Sequence, residues 1–341
     1  MENKMRYQIY KSINLSLNII LCGILSIVSL MINLSMYDNE LNIVQSNIAV
    51  ILSQIIVYGV PLLIFSTVND HLDKKHLNKS NVFDTNKKIF MKSMRETINI
   101  KSVLLIIAIS ILTILSMYLF RNLFYNLNYF IFGNMPEAMF HNHEQASILN
   151  VPIQYIIIIL ISIVLVTSII EEMFYRYMLI KKNEHIPVLL TIILSIICFS
   201  LAHNEMHQVI LVIMLSVIVG ITLMKTKSIL YPILIHGIAN IFSLFNFDPS
   251  EYLFYYVYPI IYDEPSVALQ NTIFSSVMVI ACIILSVYLI AKLPVCSVEA
   301  NENKDYTSTA AAKIFAFLIY LAGCGIFCFF MLSKIFIISS L

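Results

Sequence analysis

The run VPIQYIIIILISIVLVTSIIEEMFYRYM, residues 151–178, decides the fold. It opens with about 20 uncharged, mostly apolar residues, the length at which an α-helix crosses the hydrocarbon core of a bilayer. It then carries Glu171-Glu172-Met-Phe-Tyr-Arg176 at a depth where charge is disfavoured. An ionisable side chain at membrane depth costs at least about 2.5 kcal/mol, so it is paired or faces a polar cavity and marks function. Two similar clusters follow inside the next apolar runs: Phe199-Ser-Leu-Ala-His203 and His236-Gly-Ile-Ala-Asn240. Glutamate, histidine and asparagine at helical spacing on neighbouring segments predict a polar chamber within the membrane, built from residue types capable of acid–base chemistry.

Composition agrees. The 341-residue chain is 59% hydrophobic and 12% charged, with a mean hydropathy of +0.85, far from a soluble globular chain. A net charge of +1 without a basic domain leaves no footprint for nucleic acid, which is excluded as a partner. Seven glycines and nine prolines exclude a linker-rich chain. No repeat of solenoid period is present, nor two halves that suggest an inverted-repeat transporter. Four of the six cysteines (Cys22, Cys198, Cys282, Cys328) lie deep in apolar runs, which excludes a disulfide framework.

Stretches able to span fall at 13–36, 43–68, 102–120, 151–178, 186–204, 208–224, 229–247, 271–291 and 314–333. The expected architecture is all-α: a polytopic bundle of eight to nine transmembrane helices with the active site inside it. Residues 1–150 form N-terminal helices and a basic loop, 151–247 a catalytic core, and 248–341 an aromatic interfacial segment and the C-terminal helices. The first helix is too long for a cleaved signal and ends in Leu34-Ser-Met-Tyr-Asp38 without a small-residue cleavage site, so it reads as an anchor. With the N-terminus in the cytoplasm, 18 of the 21 Lys and Arg residues fall inside, including the eight from Lys74 to Lys101. Arg121 and Lys334 fall outside, while Arg176 belongs to the buried motif. The outer loops carry Asp38, Glu40, Glu137, Glu144, Glu205, Asp248, Glu251, Asp263 and Glu264. The Tyr-rich stretch 251–262 is too short to span and is expected at the outer interface; the basic stretch 69–101 reads as a connector.

Residues four apart share a helix face, whereas neighbours diverge by about 100°. Glu172 and Arg176 are therefore expected to pair. Glu171 points elsewhere with a free carboxylate, which suits a general base. His236 and Asn240 are also four apart and are expected to look into one space.

The three signatures Glu-Glu-x-x-x-Arg, Phe-x-x-x-His and His-x-x-x-Asn, in this order and about thirty residues apart, resemble the CAAX protease and bacteriocin-processing (Abi) family of intramembrane endopeptidases. The similarity covers roughly residues 150–248. The resemblance implies Glu171 as the base that activates water, His203 as its partner on that water, and His236 and Asn240 as oxyanion donors. Glu172 and Arg176 become the supporting ion pair. It also implies a multi-pass protein of the cell membrane that hydrolyses a peptide bond of a membrane-associated protein or peptide, without a cofactor. The Ile-, Asn- and Lys-rich usage points to a bacterial source, where the family is associated with peptide maturation, bacteriocin immunity and surface-protein regulation.

Other readings stay open on the residues alone. A zinc-dependent version of the same hydrolysis uses His203, His236 and Glu171 as ligands, with His207 nearby. His203-Asn-Glu-Met-His207 is not His-Glu-x-x-His, however, because Asn204 stands where the base belongs. A proton-coupled transporter uses the same residues as a relay, and a non-catalytic adaptor uses them to bind membrane partners.

Overall fold

The computed structural model describes residues 2–37, 43–77, 99–132, 152–181, 187–203, 206–245, 265–295 and 310–339. The Tyr-rich stretch 251–262 and most of the basic connector lie outside them. Among the described residues there are nine rods, all helical, and no strand. Helix α1 is Glu2–Tyr37. Helix α2 comprises Ile43–Gln54, a π-turn Ile55–Gly59 and Val60–Leu77. Helix α3 is Ile100–Phe132. Helix α4 joins Ile153–Ile159, a π segment Leu160–Thr167, Ser168–Glu172 and a second π segment Met173–Lys181. Then come α5 (Val188–Leu201), α6 (Met206–Thr226), α7 (Leu230–Leu244), α8 (Pro265–Lys292) and α9 (Ala310–Ser339).

Seven rods are long and apolar enough to cross a membrane. Large apolar side chains point outward from them, among them Leu63, Ile157 and Ile284, each more than 60% exposed. Water would not tolerate so much apolar surface, and lipid does. The chain is thus an all-α polytopic membrane bundle, as expected from the sequence.

Several boundaries differ from the hydropathy reading. Helix α3 runs past the expected end at residue 120 because nothing in Arg121-Asn-Leu-Phe-Tyr125 breaks it, and Arg121 lies over the rings of Tyr118 and Tyr125, one turn to either side. Helices α5 and α7 are only 14 and 15 residues long, shorter than the stretches 186–204 and 229–247. Pro187 opens α5 at its N-cap, where a missing N–H does no harm.

The site-bearing faces of α4, α5 and α7 turn inward, while Ile157 and Leu165 on α4 and Leu189 on α5 point outward. The first and last helices, α1 and α9, lie along each other, and α8 lies along α3. At the α1–α9 crossing, a Cβ on Gly323 would stand 2.8 Å from the Ser16 Cα, so only glycine permits this approach. Ser16 Oγ seals it by donating to Ile319 O at 2.8 Å. Among the seven long spans of the described residues α6 is the most buried, and it touches α3, α5, α7 and α8. One core cluster joins these elements, with Phe65, Phe174, Tyr175, Phe199, Ile218 and Ile235 all nearly inaccessible.

Candidate active site

The site begins with an irregular helix. In α4 the pair Glu171-Glu172 ends a five-residue α stretch between two π segments. A π segment inserts residues into the helical register, leaves carbonyls without regular partners, and is frequent at functional sites. Here side chains donate to several carbonyls of α4. Thr167 Oγ1 donates to Ser162 O at 2.9 Å, and Asn240 Nδ2 donates to Ile163 O at 3.0 Å. Ser195 Oγ on α5 donates to Tyr175 O at 2.8 Å. The fully buried Ser162 hydroxyl donates to Asn47 Oδ1 on α2 at 2.5 Å.

Glu172 and Arg176 pair as their spacing predicts, with Arg176 Nε 3.2 Å from Glu172 Oε2 and both side chains fully buried. Arg176 also donates from Nη2 to Ser216 Oγ on α6 at 2.8 Å and lies 4.3 Å over the Phe199 ring. The other carboxylate oxygen of Glu172 faces His236 Nδ1 at 2.9 Å. A carboxylate accepts, so Nδ1 carries the hydrogen. Glu172 is therefore closed between a guanidinium and an imidazole.

Glu171 is 6% exposed and takes no part in the arginine pair. Its carboxylate is not free, contrary to the sequence reading. Gln54 at the start of the α2 π-turn donates from Nε2 to Glu171 Oε1 at 3.2 Å. The Glu171 Oε2 atom stands 3.9 Å from His236 Nε2, beyond hydrogen-bond length. The π-turn has a local cause. Pro61 has no N–H to give Val57 O, and its ring crowds that carbonyl, so regular α geometry fails there.

His203 lies just past the C-terminal end of α5. Its Nδ1–H donates to Phe199 O at 3.0 Å, so Nε2 is left as an acceptor. The Phe199 ring meets His203 edge-on at 5.1 Å and His236 at 5.6 Å. It forms one end of an aromatic wall continued by Tyr175, Phe174 and Tyr58. The phenylalanine of the second motif thus sets the positions of both histidines and Arg176.

Asn240 departs from the expectation of one shared space. His236 faces the two carboxylates, whereas both Asn240 amide hydrogens are engaged on α4, by Ile163 O and by Ser168 Oγ at 3.1 Å. Of the residues near the site, Gln54, Ser168 and Ser216 were not found from the sequence. Gln54 shares its apolar run with Gln45 and Asn47 and is not singled out by it, and a serine in a membrane helix carries no signal either. Among the described residues, no group of three His, Cys, Asp or Glu side chains is arranged to hold a metal ion.

Buried carboxylates, an arginine and a histidine at the centre of an apolar helical bundle define a multi-pass membrane protein with an ionisable site inside its membrane domain. Residues 153–242, about a quarter of the chain, match the family described as type II CAAX prenyl endopeptidase Rce1-like, which bears out the resemblance carried by the motifs. The matched stretch holds all three of them. Neither among curated proteins nor among solved structures does any match the chain.

Proposed function

We propose that the chain is an intramembrane endopeptidase in which Glu171 activates water against a peptide carbonyl. The observation that carries this reading is the unequal setting of two adjacent carboxylates. Glu172 is closed by Arg176 and His236, while Glu171 is steadied by one neutral amide and turned toward His236 Nε2 at 3.9 Å. That gap is too long for a hydrogen bond, so the two groups act together through a reactant seated beside them.

In the proposed reaction Glu171 takes a proton from water as the oxygen adds to the carbonyl carbon, with the bare Nε2 of His203 as second acceptor on that water. Carrying both ring protons, His236 keeps Nδ1–H on Glu172 and offers Nε2–H to the developing oxyanion. Asn240 joins it by exchanging its Ser168 bond for the oxyanion while keeping Ile163. The tetrahedral intermediate collapses with cleavage of the C–N bond, and the proton on Glu171 passes to the leaving amine. No step requires a metal. The substrate is a membrane-associated protein or peptide, the source bacterial, and the biological role peptide maturation, bacteriocin immunity or surface-protein regulation.

Glu171→Gln preserves size and hydrogen bonding but cannot accept the proton. Cleavage should fall by about 10²-fold or more while the protein accumulates in the membrane at the normal level. Comparing membrane proteomes and secreted peptides of cells carrying the two forms identifies the substrate. Purified protein should keep its activity through exhaustive chelation. Undiminished cleavage by Glu171→Gln removes the mechanism, and activity that vanishes with chelation and returns with zinc replaces it with the metal version.

A further inference from the structure

The proposed base takes one of its contacts from a helix that carries none of the three motifs. Gln54 on α2 stands 117 residues before Glu171 in the chain, outside the matched segment 153–242. Its Nε2 donates to Glu171 Oε1 at 3.2 Å. Among the described residues this is the only hydrogen bond its side chain makes, and its Oε1 is buried without a donor.

An amide that only joins membrane helices gains by bonding at both ends. Asn14 on α1 does so. Its Nδ2 donates to Phe65 O at 3.2 Å and to Asn69 Oδ1 at 3.3 Å, and its Oδ1 accepts from Asn18 at 2.9 Å. Gln54 leaves its acceptor idle, an unfavourable state for a buried polar atom, and spends its donor on one carboxylate. The backbone aims it there. Gln54 is the last residue before the π-turn Ile55–Gly59, which packs against the Ser168–Glu172 segment of α4. Within that turn Tyr58 meets the rings of Phe174 and Tyr175 at 5.5 and 5.6 Å. The aromatic wall fixes the turn, and the turn fixes the amide.

A carboxylate has two oxygens, and one of them takes the proton from water. With Oε1 engaged by the amide, the lone pairs of Oε2 are the ones left. Oε2 is also the oxygen on the His236 side, 3.9 Å from the Nε2 that is to face the oxyanion. We infer that Gln54 is a positioning residue whose amide fixes the Glu171 carboxylate so that Oε2 receives the proton. The inference rests on the endopeptidase reading and makes α2 part of the catalytic apparatus.

The test uses full-length protein in nanodiscs and the peptide it cleaves fastest from a pool of internally quenched peptides. Gln54→Met keeps the length of the side chain and removes the donor. Its kcat should fall about 10- to 100-fold, the range for a hydrogen bond to a charged group, while KM stays within about twofold. In a Glu171→Gln background the same substitution should cost nothing further, because the group it positions no longer takes a proton. Gln54→Glu supplies a conditional rescue. A carboxyl at position 54 donates only when protonated, and two adjacent carboxyl groups hold one proton between them as the pH falls. The kcat of Gln54→Glu relative to the parent protein should therefore climb on acidification, whereas Gln54→Met, without a donor at any pH, should show no such gain. Unchanged kcat in Gln54→Met overturns the inference. So does an equal fold loss in the parent and Glu171→Gln backgrounds, the outcome expected of an amide that acts on packing alone. A Gln54→Glu that gains nothing on acidification also overturns it, and that comparison stands even where Gln54→Met does not fold. No cleavage of any peptide, or cleavage undiminished in Glu171→Gln, overturns the endopeptidase reading and this inference with it.

Discussion

Glu171 and Glu172 are neighbours in the chain, and their surroundings make them different groups. The turn of about 100° between them sends Glu172 to Arg176 and His236 and leaves Glu171 with Gln54. Glu172→Gln removes the partner of a fully buried guanidinium and the anchor of His236 Nδ1. Breaking a buried pair from one side costs about 3–5 kcal/mol, so this variant should melt earlier in detergent and accumulate less in the membrane, whereas Glu171→Gln should melt like the parent protein. Equal melting of the two would show that the charge on Glu172 does not hold the site. The contrast was legible because charge inside an apolar run stands out and i,i+4 spacing names its partner. Gln54 was not, because a single neutral amide on a distant helix has no periodic partner to point at it.

At the scale of the element, the irregularity of α4 governs the site. Hydropathy patterns register a period near 3.6 and are blind to a register shift held by side chains from other helices, so the π segments had no trace in the sequence. Their supports are Asn47, Thr167, Ser195 and Asn240. Asn240→Ala removes a side-chain donor to Ile163 O, a loss of about 0.5–1.5 kcal/mol, and should therefore lower the melting temperature as well as kcat. Ser168→Ala removes only an acceptor and leaves the Ile163 bond in place, so its melting should change less. If Asn240 also reaches the oxyanion, kcat should fall by about 10²–10³-fold, far more than loss of folded protein explains. Normal turnover in Asn240→Ala would show that it does not hold the developing charge.

For the whole molecule, the spans legible in the sequence match the rods observed, and the differences lie at ends and in lengths, where caps, prolines and aromatic stacking rather than hydropathy set the stop. From the distribution of lysine and arginine we propose that the N-terminus is cytoplasmic. Reporters fused after Ser80 and Lys182 should read cytoplasmic and one near Asp263 extracytoplasmic; a reversed reading at any of the three would overturn the proposed orientation. The two rods that bring His203 and His236 to the site are also the two that fall short. At 1.5 Å per residue, the 14 residues of α5 and the 15 of α7 reach roughly 21–23 Å, against a hydrocarbon thickness of about 30 Å. The difference is a deficit of hydrophobic thickness beside the ionisable side chains, and lipid meets such a deficit by thinning. The elastic cost of that thinning falls on the bilayer, and it brings the aqueous phase nearer to a site whose proposed chemistry consumes water.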